Sequence, residues 1–284
     1  MSASCEAVAV NGQPGLRLSL PAGDTALVAL HGAQVVSWVA QGRERLYLSP
    51  RAVWNGQAAI RGGIPVCFPQ FNQRGPQPGL PKHGFARQLP WVPGPTNLAT
   101  DNASLSLVLD HLPASGRGWT QPFQATVTVT LTPGSLQVAL AVAHTGAADQ
   151  TLAFTAALHT YLAVDDIGRV QLHGLQGQSE WDALSGARRQ VTGPLTFSRE
   201  FDRVYAAAPQ PLALLGGTET LEIAQGGFDQ SVVWNPGSDL CATLTDMPPD
   251  GFRHMLCVEA ACVDSPVALP AGASWRGWQR LSVV

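Results

Sequence analysis

Strict alternation of apolar and polar residues in one stretch constrains the fold of this chain most strongly. The stretch runs from Phe123 to Thr132, and Pro133-Gly134 then leads into a second apolar-rich stretch at residues 135–142. A period of two places successive side chains on opposite faces of a strand, and a Pro-Gly pair is typical of a tight turn. These residues therefore predict a β-hairpin.

Further short segments have the same strand-like character and are separated by Gly, Pro, Asn or Asp. We predict strands at residues 104–110, 211–215, 220–224, 231–235, 241–245 and 254–263. The 29 glycines and 22 prolines among 284 residues favour many turns, and no long amphipathic helix pattern is present. Because no linker, repeat or charge block interrupts the chain, we expect residues 1–284 to form one all-β domain, a large antiparallel sandwich.

Composition and charge favour a small-molecule ligand. The net charge is -3, only 13% of the residues are charged, and no basic run is present, so neither nucleic acid nor an anionic membrane is an expected partner. The start of the chain has no signal-like segment, which leads us to expect a cytoplasmic protein. Five cysteines without a CxxC pair fit neither a disulfide framework nor a zinc ribbon.

The stretch from Arg61 to Arg87 combines residues that stiffen a loop with residues that bind ligands. Gly62-Gly63 allows close backbone approach, and five prolines between residues 65 and 81 fix φ. The guanidinium groups of Arg61 and Arg87 suit a carboxylate or phosphate, although both residues alone would also fit surface charges. Cys67 lies between Val66 and Phe68, which favours a buried apolar role over a nucleophile.

Two isolated ionisable residues stand in apolar, strand-like surroundings. His159 ends the run Phe154-Thr-Ala-Ala-Leu, and Glu259 is the one charged residue within 255–263. Burial raises the pKa of a carboxyl group and lowers that of an imidazole, so the two could serve an acid–base reaction. A hydrogen-bonded core histidine and a carboxylate paired with an arginine remain the alternatives.

Motifs along nearly the whole chain resemble the aldose 1-epimerase superfamily, in particular its hexose-6-phosphate mutarotase branch. They occur in the family's order and comprise Gly32-Ala-Gln-Val-Val-Ser-Trp38, Ile60-Arg-Gly-Gly-Ile-Pro65, His83-Gly-Phe-Ala-Arg87, Ala157-Leu-His-Thr-Tyr161, Phe201-Asp-Arg-Val-Tyr205, Val233-Trp-Asn-Pro236 and Val258-Glu259. The resemblance implies a galactose mutarotase-like β-supersandwich. It also implies an isomerase, a glucose-6-phosphate 1-epimerase that interconverts the α and β anomers.

The resemblance also assigns site residues. His159 would be the general acid and Glu259 the general base, and Asp202 would accept hydrogen bonds from sugar hydroxyls unless it is only a turn residue. His83 would line the site or else brace the turn at Gly84. The 6-phosphate would be clamped by Arg61 and Arg87, with Lys82 as a third cation. Apart from the resemblance, the flat rings of Trp54 and Trp234 could each stack on the sugar, and we favour Trp54 because it is close to Arg61 in the sequence. Proton transfer alone suffices for ring opening, so the resemblance implies neither cofactor nor metal.

The sequence departs from the family pattern at a few positions, and other functions remain open. Lys82 stands where many relatives carry a small or amide residue, Asn72 where a glycine is common, and Ala143-His144-Thr145 replaces a frequent Asn-Thr pair. The alternatives are a mutarotase of non-phosphorylated aldoses, a non-catalytic carbohydrate-binding module and a metal-dependent cupin-like enzyme. The spacing of the seven histidines gives the last little support. We expect a monomer.

Overall fold

The computed structural model describes residues 2–111, 118–217 and 219–284. The strands, in chain order, are β1 (Ser4–Val10), β2 (Gln13–Ser19), β3 (Thr25–Ala29), β4 (Gln34–Ala40), β5 (Arg43–Glu44), β6 (Val66–Cys67), β7 (Val92–Leu98), β8 (Ala103–His111), β9 (Phe123–Thr132), β10 (Ser135–His144), β11 (Thr151–Leu158), β12 (Tyr161–Ala163), β13 (Gln171–His173), β14 (Ser179–Asp182), β15 (Arg188–Gln190), β16 (Phe201–Ala206), β17 (Leu212–Leu215), β18 (Leu221–Gly226), β19 (Gln230–Asn235), β20 (Met255–Pro270) and β21 (Ser274–Val283).

Helical segments among the described residues are few and short. They are the helix α1 (Gly237–Thr243) and the 3-10 turns Ala86–Gln88, Ile167–Arg169 and Gly251–His254. Within the described ranges, no helix is both long and apolar enough to cross a membrane.

The strands form three sheets. β1 to β5 pair in sequence order, an eight-stranded sheet has the order β13-β17-β18-β21-β10-β9-β8-β7, and a third has the order β15-β14-β16-β19-β20-β11-β6 with β12 added against β20. Every pairing between these described strands is antiparallel, and one large apolar cluster draws residues from all three sheets. The prediction of an all-β protein built on antiparallel sheets is confirmed.

The predicted hairpin is present as β9 and β10. Leu131 pairs with Leu136, and the pairing continues without a register shift to Phe123 and His144. Along β9 every second side chain is buried, as the alternation predicts. The other predicted strands correspond to β8, β17, β18, β19 and the first part of β20.

The prediction of a strand at residues 241–245 is wrong. Residues up to Thr243 belong to α1, which follows directly after β19. The side chain of Asn235 accepts a hydrogen bond from the Gly237 N–H at 2.9 Å, which supports the helix start, and Cys241 is buried beneath it. Residues 241–245 read Cys-Ala-Thr-Leu-Thr, and in so short a stretch periodicity cannot separate a strand from a short helix, which explains the error.

A bulge interrupts the pairing of β11 with β20 and shapes the third sheet, which we call the site sheet. Phe154 pairs with Val267 and Ala156 with Cys262, so Thr155 alone stands opposite residues 263–266. The Thr155 hydroxyl accepts the Phe71 N–H at 2.8 Å and so ties the loop of residues 61–87 to the sheet. This loop forms one wall of the site described next.

Candidate active site

One face of the site sheet forms the floor of a cavity of about 270 Å³. Asp202 pairs with Trp234 across β16 and β19, and Val232 pairs with Glu259 across β19 and β20. Alternation along each strand brings these four side chains to the same face, and all of them line the cavity. The loop of residues 61–87 supplies the opposite wall, including Arg61 and His83.

His159 and Glu259 meet at the floor of this cavity. His159 follows β11, its backbone N–H donates to the Pro65 carbonyl at 2.9 Å, and its Nε2 lies 3.5 Å from Glu259 Oε1. Both residues are buried, with 8% and 1% of their surface exposed. The remaining polar atoms, His159 Nδ1 and Glu259 Oε2, make no hydrogen bond within the described part of the chain. The two residues proposed as acid and base are therefore brought together.

Their surroundings push the two pKa values in opposite directions. Burial, aided by the charges of Arg87 and Arg61, lowers the pKa of His159 well below its ordinary value. Burial, aided by the Asp202 carboxylate, raises the pKa of Glu259 well above its ordinary value. A carboxylate with a raised pKa is a stronger base and an imidazolium with a lowered pKa is a stronger acid, as proton transfer in both directions requires.

Asp202 and Lys82 bring further charge to the same cavity. Burial raises the pKa of Asp202 to about 6, against the opposing effect of the Lys82 ammonium group. Lys82 is exposed and lines the cavity, and it has no ion pair among the residues described. The structure thus brings Asp202 beside the acid–base pair and leaves the Lys82 charge available to a ligand.

His83 both lines the cavity and braces its loop. Its backbone N–H donates to the Asn72 carbonyl at 2.7 Å, and its Nδ1 accepts the Asn72 N–H at 3.1 Å. The acceptor role at Nδ1 implies that Nε2 carries the proton in the neutral ring. Asn72 and His83 have φ values of 51° and 64°, so position 72, where the family resemblance leads us to expect glycine, is in the left-handed region, which asparagine tolerates.

Arg61 lines the cavity but is already engaged. Its Nε donates to Asp246 Oδ2 at 3.1 Å and its Nη1 donates to the Tyr161 hydroxyl at 3.1 Å. The Tyr161 ring in turn stacks on His159, with centroids 4.8 Å apart and planes inclined by 11°. Asp246 and Tyr161 therefore hold the Arg61 side chain in place. They lie 185 and 100 positions away from it in the sequence.

Arg87 and Trp54 do not line the cavity. Arg87 Nη2 donates to the Lys82 carbonyl at 3.0 Å, so Arg87 supports the loop from behind, although its charge still acts on His159. Trp54 packs against a separate apolar cluster that contains Val36 and Ile60. It is Trp234, and not Trp54, that the structure places in the cavity.

Arg74 and Trp181 line the cavity and were missed by sequence reasoning. The Arg74 guanidinium lies 4.1 Å from the centre of the Trp181 ring, and its Nη1 lies 3.0 Å from Asp264 Oδ1 in the β20 bulge. Trp181 belongs to β14, far from Arg74 in sequence, so only the pairing of β14 with β16 brings it to the site. The position of Arg74 inside the stiff loop was the one available signal.

Comparison with known proteins places this architecture in a family. The sequence profile of the family described as aldose 1-epimerase matches residues 16–282. The chain belongs to the aldose 1-epimerase family. A relative from Cenchrus ciliaris, named as a candidate glucose-6-phosphate 1-epimerase, is 35% identical over 269 residues, which cover 90% of this chain and 80% of the relative.

Solved structures of similar proteins share the fold. A candidate mutarotase from Salmonella typhimurium has a TM-score of 0.90 and 29% identity, covering 99% of this chain and 93% of its own. A galactose mutarotase-like protein from Clostridium acetobutylicum has a TM-score of 0.77 at 13% identity, covering 100% and 99%. The predicted galactose mutarotase-like fold is confirmed, and family membership makes this protein an isomerase of the epimerase type.

Proposed function

We propose that this family member interconverts the α and β anomers of a hexose 6-phosphate, with glucose 6-phosphate as the first substrate to test. One observation carries the proposal: a buried histidine and a buried glutamate lie 3.5 Å apart on the floor of an open cavity. The name of the Cenchrus ciliaris relative supports the choice of substrate.

In the proposed reaction, Glu259 removes the proton from the C1 hydroxyl while protonated His159 donates a proton to the ring oxygen. The bond between C1 and the ring oxygen breaks, which gives the open-chain aldehyde. Rotation about C1–C2 and the reverse proton transfers close the ring as the other anomer. The 3.5 Å separation of the two residues lets a proton pass from the carboxylic acid to the imidazole, which forms the required carboxylate and imidazolium. Because the pKa of Glu259 is raised and that of His159 is lowered, this charged pair is the less stable form and is populated only transiently before each turnover.

Asp202, His83 and Trp234 would orient the sugar. The Asp202 carboxylate would accept hydrogen bonds from hydroxyls, and the Nε2–H of His83, whose side chain lines the same cavity, would be a donor. The Trp234 ring offers a flat apolar surface to a face of the sugar. In this proposal Trp234 takes the stacking role that the sequence suggested for Trp54.

The phosphate would lie at the rim, where Lys82 is the cation without a described ion pair. Arg61 can reach an anion only by sharing its guanidinium with Asp246, which lies 3.1 Å away. Arg87 would contribute mainly through its long-range charge, since its side chain lies behind Lys82. A dianion buried without such cations would be costly, so this group would select for the phosphorylated sugar.

Exchange between anomers, followed by saturation-transfer NMR, tests the proposal. Acceleration of glucose 6-phosphate but not of free glucose is the expected result. Acceleration of free glucose alone would retain the acid–base mechanism and refute the phosphate site. No acceleration of either sugar or of other hexose 6-phosphates would favour the non-catalytic carbohydrate-binding alternative.

The domain organisation, oligomeric state and cellular location of the protein are also matters of proposal. We infer that residues 1–284 act as one domain, because the apolar cluster joins all three sheets. We also propose a monomer, since the residues that line the described cavity all come from one chain. The cytoplasmic location stays a prediction from the sequence. Light scattering on the purified protein tests the monomer, and a dimer mass would contradict it.

A further inference from the structure

Three side chains able to bind a metal meet at the floor of the cavity. Cys257 and Glu259 stand two positions apart on β20 and therefore share a face, and His159 follows β11 beside them. A ring nitrogen, the sulfur and a carboxylate oxygen all lie within 4.8 Å of one another. Cys257 is fully buried and plays no part in the proposed reaction.

This set of ligands matches one class of cation. Sulfur, imidazole nitrogen and carboxylate oxygen together suit Zn²⁺ and similar thiophilic divalent ions, whereas Mg²⁺ and Ca²⁺ require oxygen ligands. Ligand atoms in a tetrahedral zinc site are about 3.5 Å apart, so the longest distances between the three ligand atoms would need to shorten by roughly 1 Å. Rotation of the Cys257 or Glu259 side chain can supply such a movement.

Two buried polar atoms without partners favour a ligand at this position. Glu259 Oε2 and His159 Nδ1 are buried without a hydrogen-bond partner among the described residues, and an unmet buried polar atom is costly. A bound dication would take up the Cys257 sulfur as a thiolate, because a coordinating thiol loses its proton.

We propose that His159, Cys257 and Glu259 form an inhibitory site for Zn²⁺ or a similar thiophilic divalent cation that enters through the cavity. Three protein ligands leave a fourth coordination position for water. The cation would occupy the lone pairs that the acid and the base need, so catalysis would stop while it is bound. Metal binding does not depend on the proposed function, whereas the inhibition does.

A cobalt titration tests the binding. Reduced, chelator-treated protein is titrated with Co²⁺, and thiolate-to-cobalt charge-transfer absorption is recorded. We expect one Co²⁺ per chain with this absorption in the wild type, and its loss in Cys257→Ala with at least about tenfold weaker binding. Cys262→Ala is the matched control, because Cys262 is a buried thiol on β20 whose odd–even position places it on the other face.

Two results would overturn the site: no charge-transfer absorption in the wild type, or absorption that survives in Cys257→Ala. Cys257→Ser keeps the size of the side chain and replaces the alanine variant should that one fail to fold by circular dichroism.

Inhibition is measured separately with Zn²⁺ in the anomer-exchange assay. We expect slowing that a chelator reverses, and a Zn²⁺ requirement at least about tenfold higher in Cys257→Ser than in the wild type. Cobalt binding in a protein that accelerates no sugar would support the site and contradict the proposed function. An active enzyme that binds Co²⁺ but is not slowed by Zn²⁺ would contradict the inhibitory role.

Discussion

The floor and the rim of the cavity are built in different ways. The floor carries His159 and Glu259, which are buried on or beside strands of the site sheet and lie 3.5 Å apart. The rim carries Lys82 and Arg74, whose side chains are exposed or ion-paired on a loop. Strand register holds the floor residues in place, whereas loop residues can change partners. We therefore assign chemistry to the floor and substrate selection to the rim.

The largest expected effect comes from removing the base. Glu259→Gln keeps the shape but cannot accept the C1 proton, so kcat/KM for glucose 6-phosphate should fall by at least about 10³-fold. The free energy of unfolding should stay the same or rise, because the amide, unlike Glu259, cannot acquire a charge in the buried site. Exchange NMR and urea unfolding measure the two quantities. Glu222→Gln, outside the cavity, is the control, and a near-normal rate in Glu259→Gln would refute the assignment.

Removing the acid should have a similar but somewhat smaller effect. His159→Ala is expected to lower kcat/KM by about 10²- to 10³-fold, since water can still protonate the ring oxygen slowly. Because the two groups act as one unit, the double variant with Glu259→Gln should be little slower than the slower single variant. Fully multiplicative losses in exchange NMR would show that the two residues act independently.

Asp202→Asn tests how much the ionised Asp202 carboxylate destabilises the folded protein. The folded state raises the pKa of Asp202 to about 6, so the folded protein holds this proton more tightly than the unfolded chain, and the ionised residue destabilises the fold above that pH. The asparagine variant should therefore be more stable by up to about 3 kcal/mol near pH 8, and this gain should vanish as the pH falls below about 4.

Urea unfolding of Asp202→Asn at several pH values measures this effect, with the exposed Asp101→Asn as the control. A gain in stability that does not depend on pH would show that ionisation of Asp202 is not its cause.

Lys82→Ala tests whether the rim of the cavity recognises the phosphate of the substrate. We expect KM for glucose 6-phosphate to rise about tenfold with little change in kcat, because one charge-assisted contact to the phosphate is lost. Lys82→Arg should preserve most of the affinity, and the difference between alanine and wild type should shrink at high salt. An equal loss toward a neutral sugar would move Lys82 from phosphate recognition to support of the loop.

The smallest expected effect on activity distinguishes the role of Trp234 from that of Trp54. Trp234→Phe should lower kcat/KM by about three- to tenfold through loss of aromatic contact area, whereas Trp54→Phe should stay within about twofold of the wild type. Exchange NMR on both variants decides between them. A larger loss in Trp54→Phe than in Trp234→Phe would restore the stacking role that the sequence suggested for Trp54.

The fold and the floor could be predicted from the sequence better than the rim. Alternation at residues 123–142 predicted the hairpin, and Glu259 is conspicuous in the sequence as an isolated charge within an apolar strand. Ion pairs such as Arg74 with Asp264 and Arg61 with Asp246 join residues 190 and 185 positions apart. Residue type alone does not encode such pairs. Residue type likewise does not show which of Trp54 and Trp234 faces the cavity, although Trp234 belongs to one of the family motifs.

The bulge opposite Thr155 has a consequence for how such an enzyme can diversify. It releases residues 263–266 from pairing, and this segment presents Asp264 to Arg74 while the strands on either side keep their register. Mutations in the released segment can alter charge and shape at the cavity mouth without shifting the Glu259 carboxylate. A lineage could thus acquire a new sugar preference in single steps, each of which retains a working catalyst.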